Sequence, residues 1–181
     1  IVAIGVQAGS NIIAGCQPTN PVSVFHLHGT ADTNMPINGG KGSGVSTTIF
    51  ASARGSVDAM AGILGCNVSS PNSLITSNPD VTALSWTGCE SDTEVRFVTV
   101  KNATHAWMGH AAQSAGSSSY IGNPYPDLDA TRAILSFLLS KSDRPSGALQ
   151  VDHYSTGDTN NVCRRRTKVV VPCSRSSPHF V

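Results

Sequence analysis

The feature that most constrains the fold is residues 22–36, where an apolar run passes directly into a polar loop. β-Branched and aromatic residues dominate the run, as is typical of a buried strand. Gly29 ends the run, and Asp32 lies in the loop that Pro36 closes. In open α/β sheets, functional side chains lie just past the carboxyl ends of strands. The segment therefore predicts a strand that carries Asp32 to such an edge.

A second strand pattern with the same layout lies far along the chain, at residues 95–100, and His105 follows it on a loop. An Asp followed later in the chain by a His matches the second half of a Ser-Asp-His relay. In such a relay the His is the general base, and the carboxylate fixes its tautomer and stabilises the imidazolium. We therefore expect Asp32 and His105 to be catalytic residues within hydrogen-bond distance of each other.

Together the two motifs resemble those of a known enzyme family. The pattern H-G-T-A-D-x-x-x-P at residues 28–36, followed by T-H-A-W-x-G at residues 104–109, is similar to secreted esterases of the polyhydroxybutyrate depolymerase, feruloyl esterase and acetylxylan esterase group. The resemblance covers residues 1–141 and implies an α/β-hydrolase fold, with a mostly parallel sheet flanked by helices. It also implies a carboxylic ester hydrolase acting on polymer-linked esters, with Asp32 as the triad acid and His105 as the base.

The resemblance further implies a nucleophilic serine in a G-x-S-x-G elbow, and this sequence has no such elbow. In the family the elbow comes shortly before a segment like residues 1–9. We therefore expect the chain to be the carboxyl-terminal part of the enzyme, with the serine outside it and no turnover by residues 1–181 alone. The alternatives are a non-catalytic remnant or binding domain of the same fold, and a serine peptidase of the same fold.

The chain's composition narrows the classes of partner. Charged residues make up 13% of the chain and the net charge is +1, so there is no electrostatic case for nucleic acid or an anionic membrane. No apolar run approaches the ~20 residues of a membrane span. The expected partner is an ester substrate, polymeric or small. The resemblance implies no cofactor. We also predict no metal, since His26 and His28 share a strand face without a third ligand placed beside them, and we interpret both as residues that support the site or as packing residues.

The five cysteines suggest an oxidising compartment, and we expect the protein to be extracellular. Cys66 and Cys89 bracket a loop and a short strand, and we predict a disulfide between them that staples this excursion to the body of the domain. Asn67 begins an Asn-Val-Ser triplet that fits the glycosylation pattern, although such triplets often arise by chance.

Two further features are expected near His105. Trp107 follows it by two residues and is predicted to line the substrate pocket, with support of the loop as the alternative role. Residues 109–123 are rich in Ala, Ser and Gly and predict a surface excursion beside the site.

The remaining sequence patterns predict the domain organisation and the secondary structure. We predict an α/β class, with a partial hydrolase domain at residues 1–141 and an irregular or disordered tail at residues 142–181, which lacks amphipathic periodicity. Predicted strands are residues 1–8 (a central parallel strand), 81–86 and 94–100, and predicted helices are residues 52–64 and 127–139.

Overall fold

A computed structural model describes residues 1–10, 18–43, 48–111 and 115–142. These residues form a five-stranded sheet, a two-stranded ribbon and three α-helices. The predicted irregular tail lies outside the described residues, apart from Ser142, which ends the last helix. The elements are β1 (Ala3–Gln7), β2 (Ser23–Gly29), β3 (Gly40–Lys41), β4 (Ile49–Phe50), α1 (Ala53–Ile63), β5 (Asn72–Leu74), β6 (Val81–Trp86), a 3₁₀ turn (Glu90–Asp92), β7 (Val95–Val100), α2 (Ala115–Ile121) and α3 (Ala130–Ser142).

The large sheet has the strand order β1-β2-β7-β6-β5. β1, β2 and β7 run parallel, whereas β6 is antiparallel to β7 and β5 is antiparallel to β6. The predicted α/β class is therefore confirmed, but the sheet is mixed instead of mostly parallel. The reason is the short link between β6 and β7 at residues 87–94, because a parallel pair needs a crossover connection of a dozen or more residues.

Among the described residues, β1 lies at an edge of the sheet and pairs with β2 alone. The sequence predicted a central strand of the complete sheet, and an open apolar edge at Val2, Ile4 and Val6 in residues 1–181, where the upstream strands are absent. Val2 and Ile4 are about two-fifths exposed, as expected at an edge. Apolar, β-rich composition predicts that a strand forms, but it does not specify how many neighbours the strand has.

Strand alternation divides the core of the described domain between the two faces of the sheet. Val24 of β2 points to the face covered by α1, where it belongs to one cluster with Val57. Phe25 points to the opposite face and belongs to a second cluster with Ile134 and Phe137 of α3. Because both faces are covered, every residue of β2 is buried, including the polar Ser23, His26 and His28.

Both predicted helices are present, with one shifted start. Ser52 caps α1 by accepting a hydrogen bond from the Gly55 backbone N–H, so this helix begins where the sequence indicated. α3 begins three residues later than predicted. There the Asp129 carboxylate accepts a hydrogen bond from the Arg132 N–H and fixes the first turn at Ala130.

The predicted disulfide between Cys66 and Cys89 is confirmed, with Cα atoms 4.2 Å apart. It joins the end of α1 to the segment after β6, where the Glu90 N–H also donates to the Leu64 carbonyl. Asn67 is exposed, and its glycosylation stays a prediction. Among the helices of the described ranges, none combines the length and apolar character needed to cross a bilayer.

Glu94 is a buried carboxylate that ties α3 to the sheet. It accepts hydrogen bonds from Ser85, Arg96 and Lys141, and its own N–H donates to the Ser23 hydroxyl. Burial raises the pKa of the Glu94 carboxyl, but the hydrogen bonds from Lys141, Ser85 and Arg96 outweigh it and leave the pKa lowered. The carboxylate is therefore ionised in the folded protein at neutral pH.

We expect Glu94→Gln to lower the free energy of unfolding by about 1–3 kcal/mol at pH 7, because it leaves two cations without their carboxylate. The wild-type advantage is present above the ordinary pKa of 4.5 and is lost as the pH falls through the lowered pKa. Denaturant melts at pH 7 and pH 3 measure both effects. Asp58→Asn is the control, since it breaks an exposed ion pair with Arg54 and should change stability by less than about 0.5 kcal/mol.

Candidate active site

Asp32 lies three residues past the end of β2, in a tight turn. Its Oδ1 accepts hydrogen bonds from the backbone N–H groups of Asn34 and Met35, both at 2.9 Å. An Asp that binds its own backbone in this way closes a local turn and fixes its carboxylate. The side chain is fully buried. The second oxygen, Oδ2, is therefore held in a defined direction.

His105 lies on the loop after β7, and its Nδ1 is 2.8 Å from Oδ2 of Asp32. Because a carboxylate only accepts, Nδ1 donates this hydrogen bond. β2 and β7 are adjacent parallel strands, so the two loops leave the sheet at the same carboxyl edge. The contact predicted from the sequence is confirmed.

The backbones of the two loops are also joined directly. The N–H of Ala31 donates to the Ala103 carbonyl at 2.9 Å, and the N–H of Asn102 donates to the Thr30 hydroxyl at 2.9 Å. Gly29 makes this approach possible, since a Cβ placed there would lie 2.2 Å from the Ala103 carbonyl oxygen. These two hydrogen bonds hold the loops that carry the carboxylate and the imidazole against each other.

The contact between Asp32 and His105 shifts the pKa values of the two groups in opposite directions. The hydrogen bond that His105 donates to Asp32 raises the pKa of His105 above its ordinary 6.5, with burial as a smaller opposing effect. Burial raises the pKa of Asp32, but the His105 hydrogen bond and the Met35 amide outweigh it and leave that pKa lowered. Asp32 is therefore an anion, and the imidazole keeps Nε2 as its basic atom.

His26 and His28, interpreted from the sequence as residues that support the site or as packing residues, are both buried on β2. Their rings stack with centroids 5.5 Å apart. The sequence indicated no carboxylate beside them, but Oδ2 of Asp32 lies 3.7 Å from Nε2 of His28. In the part of the chain that the structure describes, no group of three or more His, Cys, Asp or Glu could hold a metal ion.

A pocket of about 280 Å³ is lined by Ala106 and Trp107, the two residues that follow His105, while the dyad of Asp32 and His105 does not itself line it. Trp107 is 43% exposed there, and its indole N–H donates to the Thr131 hydroxyl at 3.0 Å. The placement agrees with the predicted substrate-binding residue, whose role stays a prediction. The residues lining the pocket are Ala106, Trp107, His110, Ser118, Ile121, Gly122 and Pro124.

Within the described residues of the excursion predicted at 109–123, the pocket is lined by His110, Ser118, Ile121 and Gly122. The excursion is tied to both loops of the dyad: Asn34 donates to the Tyr120 carbonyl at 2.8 Å, and Thr104 donates to the Asn123 carbonyl at 2.8 Å. Sequence reasoning identified Trp107 but missed Ile121 and Pro124. Their only signal was proximity in the chain to His105, because their placement depends on these long-range hydrogen bonds.

No protein-family model matches the chain, and no curated protein matches it significantly. The function must therefore be inferred from the geometry of the site together with the resemblance of its two motifs.

Proposed function

We propose that this chain supplies the acid and the base of a serine-type carboxylic ester hydrolase with an α/β-hydrolase fold. The observation that carries the proposal is the 2.8 Å hydrogen bond from Nδ1 of His105 to a buried carboxylate whose other oxygen is held by two backbone amides. It fixes the Nδ1-protonated tautomer and leaves Nε2 as the base, which is the arrangement that acyl transfer to a serine requires.

In the proposed mechanism, Nε2 of His105 takes the proton of a serine hydroxyl while the serine oxygen attacks the ester carbonyl. Asp32 stabilises the imidazolium, which then gives its proton to the departing alcohol. Water activated by the same Nε2 releases the acid from the acyl-serine. No serine of this sequence has the elbow pattern, so we propose that the nucleophile lies outside residues 1–181. The mechanism uses no cofactor.

The fold and the disulfide agree with this proposal. Three parallel strands with helices on both faces carry the Asp loop and then the His loop, in the chain order of α/β-hydrolases. The disulfide between Cys66 and Cys89 fits secretion into an oxidising compartment. The proposed substrates are polymer-linked esters, and the near-zero net charge gives no support for nucleic acid or an anionic membrane as partner.

We further propose that the pocket beside His105 receives the apolar part of the ester. Trp107, Ile121 and Pro124 give it an apolar lining, and the indole is held in place by Thr131. Binding sites for small organic groups have this character, with apolar walls and few polar groups.

We expect Trp107→Ala to raise the KM for p-nitrophenyl esters about tenfold, while kcat changes less than about threefold, since the substrate loses apolar contact area but the dyad stays intact. Steady-state kinetics on the intact protein measure both constants. Leu139→Ala is the control, because Leu139 is 66% exposed on α3 and does not line the pocket. Equal KM values in the two variants would show that Trp107 does not contribute to substrate binding.

The function is tested on the intact natural protein that carries this chain. We expect it to hydrolyse a p-nitrophenyl acyl ester and to lose that activity when a fluorophosphonate labels one serine, which peptide mapping then locates. His105→Ala should lose both turnover and rapid labelling. Turnover that survives both treatments would refute the proposed mechanism, and a folded wild-type protein without turnover or labelling would favour the non-catalytic alternative.

A further inference from the structure

A chain of two buried histidines lies behind Asp32, and the mechanism above does not use it. His28 is 1% exposed, and its Nε2 is 2.9 Å from the Met35 carbonyl oxygen. Nε2 of His26 is 3.2 Å from Nδ1 of His28. Polar groups that are buried and bonded at both ends have one defined arrangement, which makes them suited to holding a neighbour in place.

The hydrogen-bond partners determine where the protons of this chain lie. Burial lowers the pKa of His26 to about 4, and it lowers the pKa of His28 more than the Met35 carbonyl and Asp32 raise it. Both rings are therefore neutral at neutral pH and carry one N–H each. The Met35 carbonyl only accepts, so Nε2 of His28 holds the proton, and its Nδ1 must accept from Nε2–H of His26.

Met35 connects this chain to the catalytic carboxylate. Its carbonyl accepts from His28, and its own N–H donates to Oδ1 of Asp32 at 2.9 Å. The imidazole of His28 therefore holds the far side of the turn that orients Asp32. Loss of its N–H would leave the Met35 carbonyl without this donor and would free the turn to open.

Building on the function proposed above, we propose that His28 is a positioning residue: through the Met35 carbonyl it keeps the Asp32 turn closed and Oδ2 aimed at His105. The ionisable groups facing His28 are His26 on its own strand, Asp32 on the following loop and His105 on the loop after β7. A permanent cation in its place would compete with His105 for Asp32. A neutral donor holds the turn without that competition.

Two substitutions in the intact protein separate the hydrogen bond from packing. His28→Leu fills the space without a donor, whereas His28→Gln keeps an N–H near the place of Nε2. We expect His28→Leu to lower kcat about 10–100-fold with KM within about twofold, because the base loses alignment and not substrate contacts. The pKa of His105, followed by NMR, should fall towards 6.5. His28→Gln should keep kcat within about threefold and retain the raised pKa.

The pKa of His105 measured by NMR also distinguishes a failure of this proposal from a failure of the function on which it rests. A wild-type protein without turnover would refute the function, while the His105 pKa in the two variants would still decide the positioning role. A folded His28→Leu protein with the wild-type His105 pKa and kcat would overturn the proposal. A His28→Gln protein in which the pKa of His105 is no longer raised would also overturn the proposal. This second result tests the proposal even where the His28→Leu protein does not fold.

Discussion

We expect Asp32→Asn to lower kcat of the intact protein by about 10⁴-fold. The amide keeps the shape of the carboxylate, but it removes the charge that raises the pKa of His105 and stabilises the imidazolium. It also offers His105 an N–H in place of an acceptor, which favours the wrong imidazole tautomer. Steady-state kinetics on a p-nitrophenyl ester measure the loss.

Asp58→Asn is the matched control for this substitution. Asp58 lies on α1 and pairs with Arg54 on the surface, so the same chemical change there should leave kcat within about twofold. Circular dichroism shows whether both variants keep the fold. A folded Asp32→Asn protein with at least a tenth of the wild-type kcat would contradict a catalytic role for the carboxylate.

The second large effect is expected at Gly29. In Gly29→Ala the new Cβ would lie 2.2 Å from the carbonyl oxygen of Ala103 and 2.9 Å from that of Thr104. Both contacts are backbone atoms, which cannot rotate away, so the two loops must separate. We expect kcat to fall at least about 100-fold, since misalignment by about 1 Å has that effect, and the free energy of unfolding to fall by about 1–3 kcal/mol.

Gly62→Ala is the control for Gly29→Ala. Its Cβ would meet only the Val68 side chain at 3.9 Å, and the residue lies in α1, where Ala is favoured over Gly by about 1 kcal/mol. We expect unchanged kcat and equal or greater stability. Kinetics and urea melts of both variants make the comparison. A Gly29→Ala protein as active and stable as Gly62→Ala would show that the loops are not held as tightly as these contacts indicate.

The contact between Asp32 and His105 was predictable because it depends on local signals. Each residue follows a strand that its own apolar run defines, and parallel strands end at one edge of a sheet. The helix face of α1 was predictable for a similar reason, since Ala53, Val57 and Ala61 recur at helical spacing and are buried.

Features that depend on long-range partners were not predictable. The contacts that place Ile121 in the wall of the pocket depend on Asn34 and Thr104 reaching residues 120 and 123. The antiparallel direction of β6 did have a signal in the short link at residues 87–94. The hydrogen bond from His28 to the Met35 carbonyl was not predicted, because the sequence left His28 open between support of the site and packing.

The measurement that tests the central claim most directly is the pH dependence of kcat/KM in the intact protein, compared with the NMR titration of His105. The base acts only when Nε2 is unprotonated, and Asp32 raises the pKa of this imidazole. We therefore predict that kcat/KM rises with pH along one limb, with a midpoint above 6.5 that coincides with the measured pKa of His105. A profile that is flat through the titration of His105, or whose midpoint lies where His105 does not titrate, would contradict its role as the general base.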